Sequence, residues 1–475
     1  MGYVAAHDNL CRKRGVQTVT ERKNIRTVVL PPSARFWRGA ALGIGAVVVV
    51  AAACIPLAAD STLPVVNRDF ETWLVIAGKM CGVAAGTLML FQLLLGARLR
   101  WLDRIYGLNR LFHFHRVCGV CAVIFASFHP MLMFAPKTVV AGPLSPDLWP
   151  VFLGAVLLVS LWAIAGVAIW RIFLNLSFDR WWFAHRLGVF MAVVLLAFHS
   201  FNVSDDFDKG WPRYAFFAAV GLYAIVFAWV KVIKPVILKK GVYRLTNVIF
   251  AGKDAYGIEL TPEAGHVFPY APGQFAFLKF NSKQVSREEH PFTISSTPTR
   301  NKNFHFTIRC SGDYTREIGH LKRGDTATID GPYGLFTHLA FAPHPKNELI
   351  MIAGGVGITP MLSMLRYMVD MNDERRVTLV WSNRTAEDIV FESEFREMEN
   401  RLSGLKIHHV FTRASGHEFE SGRLDESKLR NLLAECSRRA MVFVCGPPKM
   451  MESVHVAIRR IGFSKRAIKM ERFAL

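Results

Sequence analysis

Six apolar runs fill the first half of the chain, at roughly 37–59, 72–97, 112–134, 151–173, 182–203 and 213–236. Each is long enough to cross a bilayer as a helix. After Lys240 the pattern changes to short alternating segments at 242–250, 257–260, 274–280, 292–295, 304–310 and 327–330, separated by turn residues. Such a series predicts a small antiparallel β-barrel. From about Asn347 the rhythm changes again. Strands at 348–353, 377–382, 406–411 and 441–445 alternate with helices near 360–370, 391–402, 424–434 and 448–461, the signature of a parallel, Rossmann-like sheet. The expected fold class is a multidomain membrane protein: an all-α six-helix transmembrane domain, an antiparallel β-barrel domain and an α/β Rossmann-like domain. The expected boundaries are 1–36, 37–236, 237–342 and 343–475.

Composition sharpens this picture in three ways. Hydrophobic residues make up 52% of the 475, but they are concentrated before Lys240, so the average describes neither half. The formal charge of +20 invites a nucleic-acid partner. Much of the excess, however, flanks the apolar runs where anionic lipid lies, and no nucleic-acid motif accompanies it. Arg98, Arg100, Arg104 and Arg110 lie between runs two and three, Arg171 and Arg180 between four and five, and Lys231, Lys234, Lys239 and Lys240 at and beyond the end of the sixth. The opposite connections are poor in Lys and Arg, and one carries Asp205, Asp206 and Asp208. Both termini are therefore expected on the cytoplasmic face. The thirty-six residues before the first run are mostly polar and do not read as a cleavable signal. Eight scattered cysteines imply no disulfide framework, and the Cys118-x-x-Cys121 pair reads as helix packing.

Four histidines carry the chemistry of the first half. His115 and His129 lie in the third run, His185 and His199 in the fifth, and each pair is fourteen residues apart. Fourteen residues at about 100° each fall only ~40° short of four turns, so each pair shares a helix face, with ~21 Å between its members. Two helices with matched pairs can clamp two stacked haems by bis-imidazole ligation, His115 with His185 and His129 with His199. His113 is rotated about 160° from that face and is expected at the headgroups or a haem propionate. Lys79, near the outer end of the second run, either neutralises a propionate, draws an anionic product or acceptor, or snorkels to the interface.

In the second half, H-P-F-T-I-S-S at 290–296 places Phe292 beside a hydroxyl, Thr293, suited to the edge of a flavin. I-R-C-S-G-D-Y-T-R at 308–316 supplies Arg309 and a helix expected to begin near Thr315, a candidate pyrophosphate site. A-G-G-V-G-I-T-P at 353–360 follows a strand and opens a helix, so its glycines admit a second pyrophosphate. C-G-P at 445–447 ends what reads as the last parallel strand, where this architecture places its ligand. Arg384, after the second Rossmann strand, suits a 2′-phosphate, and Arg413 assists it. NADPH is therefore expected ahead of NADH, with NADH possible.

With these motifs in this order, residues 37–475 closely resemble the ferric reductase and NADPH oxidase superfamily: a six-span haem domain followed by a ferredoxin–NADP reductase-type module. The resemblance implies two haems b held by His115, His129, His185 and His199. It implies FAD contacted by His290, Pro291, Phe292 and Thr293, with Arg309 and Thr315 at its phosphates. Gly354, Gly355, Gly357, Thr359 and Pro360 match the nicotinamide-dinucleotide loop. Cys445, followed by Gly446 and Pro447, matches the residue near the nicotinamide. Phe473 matches the C-terminal aromatic that covers the flavin, although Ala474 and Leu475 follow it here. The expected activity is electron transfer from cytoplasmic NADPH across the membrane, most directly to dioxygen. A ferric or cupric chelate, a quinone or an extracytoplasmic partner protein are the other candidate acceptors. Neither calcium-binding loops nor an iron–sulfur cysteine cluster is present, and the oligomeric state is open.

Overall fold

The computed structural model describes residues 34–59, 69–135, 149–171, 173–203, 210–263, 267–299, 303–344, 346–413 and 420–472. Its contacts divide the chain into two units. One comprises residues 35–99 and 110–235; the other comprises 100–109 and 236–475.

The first unit is helical: α1 (Ala34–Ala53), α2 (Ile55–Ala59), α3 (Phe70–Gly96), then α5 (Leu108–Phe134), α6 (Trp149–Trp170), α7 (Phe178–Val203) and α8 (Gly210–Ala228). The numbering leaves α4 (Arg100–Tyr106) to the other unit. Asp69 caps α3, its carboxylate accepting the Thr72 N–H at 2.8 Å. Such a cap is worth about 1 kcal/mol. Among the described residues four helices are long and apolar enough to cross a membrane: Phe70–Gly96, Leu108–Phe134, Trp149–Trp170 and Arg180–Val203. These are the second to fifth runs of the sequence. The first and sixth are represented by the shorter apolar stretches Gly43–Leu57 and Arg213–Ala228. The sixth gives way at Trp229 to a π-helical turn, Trp229–Ile233, and then to α9 (Lys234–Lys240).

A shared apolar core brings these helices together. Leu88, Met89, Ala122, Leu157 and Ala192, one or two from each of four helices, form a shared core, and Cys118 and Cys121 pack against it. Both cysteines are free thiols, in keeping with a packing role. Facing outward, Phe152, Val159 and Ile169 of α6 are all exposed. A face of that kind is unfavourable in water and natural in hydrocarbon.

The second unit carries the six barrel strands β1 (Val242–Gly252), β2 (Ala255–Pro262), β3 (Phe275–Asn281), β4 (Glu289–Thr293), β5 (Phe304–Arg309) and β6 (Thr326–Tyr333). They form an antiparallel sheet in the order β4-β3-β6-β1-β2-β5. Leu245, Leu260, Leu278, Phe280, Phe304 and Phe306 fill its interior. A short helix follows β5, α10 (Asp313–Glu317), and another follows β6, α11 (His338–Phe341).

The parallel sheet has six strands: β7 (Leu349–Gly354), β8 (Val377–Asn383), β9 (Leu405–Phe411), β10 (Glu420–Ser421), β11 (Met441–Cys445) and β12 (Ile468–Glu471). Its order is β10-β9-β8-β7-β11-β12. Four helices connect them: α12 (Thr359–Asp370), α13 (Glu392–Arg401), α14 (Glu426–Leu432) and α15 (Pro448–Arg460). The central strand β7 is buried at every position, as expected of a sheet covered on both faces.

Two sequence expectations need correction. The helix expected near Thr315 begins at Asp313, because Gly312 is its N-cap and Thr315 lies a turn inside. The strand ending at Cys445 is not the last, since β12 pairs beyond it in parallel, Cys445 opposite Glu471. With only four residues and a charged end, β12 offers too little alternation to read from sequence.

Helix α4 belongs to this unit through polar contacts. Asp103 is buried and accepts the N–H of Gly334 through Oδ2 at 2.9 Å. Arg100 Nη2 lies 3.5 Å from Asp330, whose carboxylate also accepts the Tyr333 hydroxyl at 2.9 Å. Just beyond α4, Asn109 Nδ2 donates to Glu471 Oε1 at 3.1 Å.

Candidate functional site

The histidines pair as their depth predicts. The rings of His115 and His185 are 6.3 Å apart between centroids, and those of His129 and His199 are 6.2 Å apart. If one metal were held between two such rings, metal–imidazole bonds of about 2.0 Å on each side, plus roughly 1.1 Å from nitrogen to ring centre, would set the centroids about 6.2 Å apart. Among the described residues no cluster of three or more His, Cys, Asp or Glu could hold a bare metal ion. Two imidazoles need four more donors around an iron, which is what a porphyrin supplies.

Backbone carbonyls orient three of the four rings. Nδ1 of His129 faces the Gly78 carbonyl at 2.8 Å, that of His199 the Pro150 carbonyl at 2.9 Å, and that of His115 the Gln92 carbonyl at 3.3 Å. An N–H placed there leaves Nε2 with its lone pair for a metal. His185 differs: its buried Nδ1 has no hydrogen-bond partner among the described residues, and its ring stacks on Trp181 and Trp182 at 5.5 and 6.3 Å. His113 is exposed, away from the pairs.

Glycines make room for these rings. A β-carbon on Gly154 would lie 2.6 Å from Cε1 of His199, and one on Gly82 would lie 2.9 Å from Nδ1 of His129. At Gly96 the distance to His115 is an ordinary 3.8 Å. Sequence reasoning missed this cradle. Its signal was the small-residue repeat Gly78, Gly82, Gly86 at four-residue spacing on α3. The buried amide of Gln92, beside Gly119, was missed as well.

In the barrel, β4 presents His290, Pro291, Phe292 and Thr293. Thr293 is buried and Phe292 half-buried. Nε2 of His290 is 2.7 Å from Glu288 Oε2, and the imidazole stacks on Tyr314 at 3.9 Å. Glu288 and Tyr314 were not singled out from sequence. Thr315 Oγ1 accepts the N–H groups of Ser311 and Gly312 at 2.8 and 2.9 Å. Its hydroxyl is thus occupied in shaping the turn.

The two dinucleotide turns pack back to back. A β-carbon on Gly357 would fall 2.3 Å from the Cys445 carbonyl, and one on Gly446 would fall 3.0 Å from the Gly354 nitrogen. Gly354 leaves room for Met450 and Pro447, and Gly355 has φ +53°, which favours glycine. Thr359 closes the turn by donating to the Val356 carbonyl at 3.0 Å, and Pro360 sits at the start of α12, where its missing N–H costs nothing. At the outer ends of β8 and β9, the N–H of Arg413 donates to the carbonyl of Arg384 at 2.9 Å, and both side chains are exposed. The two arginines are thereby brought together.

Cys445 is fully buried, and burial pushes its thiol well above the usual range, with Glu471 adding to the effect. Glu471 itself is pushed up to about 8 by burial and then by Asp103, against the Asn109 hydrogen bond. Burial raises Asp103 to about 6, opposed by the Gly334 N–H. Phe473 and the Asp205, Asp206, Asp208 loop lie outside the described residues.

Three family matches follow the chain in the order of these sites. Residues 81–196 match the ferric reductase like transmembrane component, 243–336 an FAD-binding domain and 351–456 the oxidoreductase NAD-binding domain. The C-terminal half is 30% identical over 236 residues to NADH-cytochrome b5 reductase 2 of Danio rerio, covering 44% of this chain and 76% of that protein. It is 31% identical over 214 residues to the glycine betaine monooxygenase reductase subunit of Pseudomonas aeruginosa, covering 44% of this chain and 57% of the relative. The chain thus spans little more than half the length of that subunit. With a ferric-reductase membrane component joined to both nucleotide-binding domains, the chain belongs to the ferric reductase and NADPH oxidase superfamily. It is an oxidoreductase embedded in a membrane.

Proposed function

We propose that the chain carries electrons from cytoplasmic NADPH, through FAD and two b-type haems, to an acceptor on the opposite face of the membrane, with dioxygen reduced to superoxide. The observation that carries this reading is the pair of imidazole separations, 6.3 and 6.2 Å, in two neighbouring helices. In this reading His115 and His185 hold the inner haem, and His129 and His199 the outer one. The domains follow the boundaries 37–236, 237–342 and 343–475, with six spans and both termini in the cytoplasm, as the basic flanks favour.

When bound, FAD accepts a hydride and releases electrons singly, and the haems relay them. The protein's part is placement and exclusion. The Gly78, Pro150 and Gln92 carbonyls fix ring orientation, and Gly82 and Gly154 let the helices close on the rings. Phe292 and Thr293 present the flavin edge, while the turns at 354–357 and 445–447 bring the nucleotide beside Cys445. Arg384 and Arg413 favour NADPH by holding its 2′-phosphate. With His129 and His199 both holding the outer haem, its iron would offer no open position, and the chemistry it would supply is outer-sphere electron transfer, which suits a small acceptor such as dioxygen.

A ferric or cupric chelate is the second reading, favoured by the ferric-reductase match of the membrane part. The test is NADPH oxidation by detergent-purified protein supplied with FAD and haemin, with and without air. Superoxide dismutase-sensitive cytochrome c reduction in air supports dioxygen. Iron-chelate reduction retained under argon, without superoxide in air, moves the acceptor to the second reading.

A further inference from the structure

Trp381 lies near the end of β8, fully buried, and its indole N–H donates to the carbonyl of Gly355 at 3.1 Å, in the turn that follows β7. A tryptophan buried whole needs such an acceptor, because its N–H is otherwise left unpaired in an apolar core. Two more rings pack against the indole, Phe395 of α13 at 5.0 Å and His409 of β9 at 5.7 Å between centroids. The donor is therefore fixed in direction, and the carbonyl is held to it.

Gly355 is where the direction of a peptide plane is decided. Its φ is +53°, and a β-carbon there would stand 2.8 Å from Nη1 of Arg309, so the position suits glycine alone. Glycine also leaves the peptide that follows it free to turn over, since both signs of φ are open to it. In a trans peptide the carbonyl and the next N–H point in opposite directions. The 355–356 bond is trans, because the one cis bond among the described residues is Gly331–Pro332. With the Gly355 carbonyl drawn inward onto the indole, the Val356 N–H is turned outward, where both residues are partly exposed. Turned over, the same peptide would offer an oxygen there, which repels a phosphate.

We propose that Trp381 is a positioning residue of the nicotinamide-dinucleotide site: its indole N–H locks the 355–356 peptide so that the Val356 N–H faces the pyrophosphate. The proposal rests on the functional reading above and deepens it by naming what holds the glycine turn ready. Trp381 itself touches no nucleotide and acts through one carbonyl. The lock sets the fraction of turns competent to bind, and the apparent affinity is reduced by that fraction. Removing the indole N–H therefore weakens binding by no more than one hydrogen bond contributes, about three- to tenfold.

The test uses full-length, detergent-purified protein and calorimetric dissociation constants for two ligands. NADP⁺ carries the pyrophosphate. Adenosine 2′-monophosphate carries only the phosphate assigned to Arg384. Trp381→Phe, which keeps an aromatic ring and loses the donor, is expected to weaken NADP⁺ about three- to tenfold and to leave adenosine 2′-monophosphate within about twofold. Leu379→Val, on the same buried face of β8 two residues earlier, is the packing control. It should lower the melting temperature and keep NADP⁺ within about twofold, a change too small for a lost hydrogen bond. Trp381→Phe weakening both ligands equally, or weakening NADP⁺ no more than Leu379→Val does, would overturn the proposal and leave Trp381 a core residue. A second measurement needs no variant: amide hydrogen exchange at Val356 is expected to slow when the unaltered protein is saturated with NADP⁺. Exchange that stays the same there overturns the proposal even where Trp381→Phe misfolds. An unaltered protein that binds no NADP⁺ shows instead that the functional reading has failed, before any variant is compared.

Discussion

Asn109 donates a hydrogen bond to Glu471 across 362 positions of sequence, joining residues 100–109 to the last strand of the parallel sheet within one unit. Three residues inside α4, Asp103 makes the second anchor, on the Gly334 N–H. The loop is thus held by carboxyl groups that the fold keeps protonated beyond their ordinary range.

This arrangement has a definite pH sign. Both carboxyls bind their protons more tightly folded than unfolded. Their contribution is complete below the ordinary carboxylate range and is lost as pH rises through about 6 and then about 8. The hydrogen bonds from the Gly334 N–H to Asp103 and from Asn109 to Glu471 oppose the loss, and Arg104 opposes it at Asp103. Amide hydrogen exchange of residues 100–109, corrected for intrinsic rates, is expected to quicken between pH 5.5 and 8.5 (roughly the span over which such carboxyls titrate). Asp103→Asn should flatten that dependence. Equal exchange in the unaltered protein across the range contradicts it.

Gly154→Ala puts a β-carbon 2.6 Å from His199. The helix pair must separate or the ring must turn, and the outer haem is expected to be lost while the inner one stays. Pyridine haemochrome analysis should then count one haem per polypeptide in place of two. Gly96→Ala, where the contact is 3.8 Å, is the matched control and should keep both.

Gly357→Ala meets the backbone carbonyl of Cys445, which cannot rotate away as a side chain would. The turns at 354–357 and 445–447 should part, at a cost of about 1–3 kcal/mol in stability of the domain. Thermal melting is expected to show the loss, together with NADP⁺ binding weakened at least tenfold, on the order of one strong contact.

The proposed 2′-phosphate site at Arg384 and Arg413 makes nucleotide choice testable. Arg384→Ala is expected to weaken NADPH binding about 10- to 100-fold and NADH binding less than about twofold. Equal losses for the two nucleotides would remove the 2′-phosphate assignment.

Much of this was legible from sequence because it rests on periodicity. Fourteen-residue spacing put each histidine pair on one face, and six alternating segments became β1 to β6 within a few residues. The glycine turn and the C-G-P turn stood where strand ends required them. What escaped was non-local. The docking of α4 depends on Asp103 meeting an N–H 231 positions away, and no local pattern announces that. Trp381 reads as one more strand residue, and its donation to the Gly355 carbonyl, 26 positions back, follows only from the pairing of β7 with β8. The sixth apolar run reads as one continuous span, but its α-helix ends at Ala228 and a π-helical turn follows, which hydropathy does not signal.

The central claim is that two irons are each held between facing imidazoles. The most direct measurement is low-temperature electron paramagnetic resonance of the oxidised protein, with a haem count on the same sample. The expected result is two low-spin, bis-imidazole ferric signals, with His115→Ala or His185→Ala removing one and His129→Ala or His199→Ala removing the other. A sample loaded with haemin that shows no low-spin signal, or keeps both signals after all four substitutions, contradicts the claim.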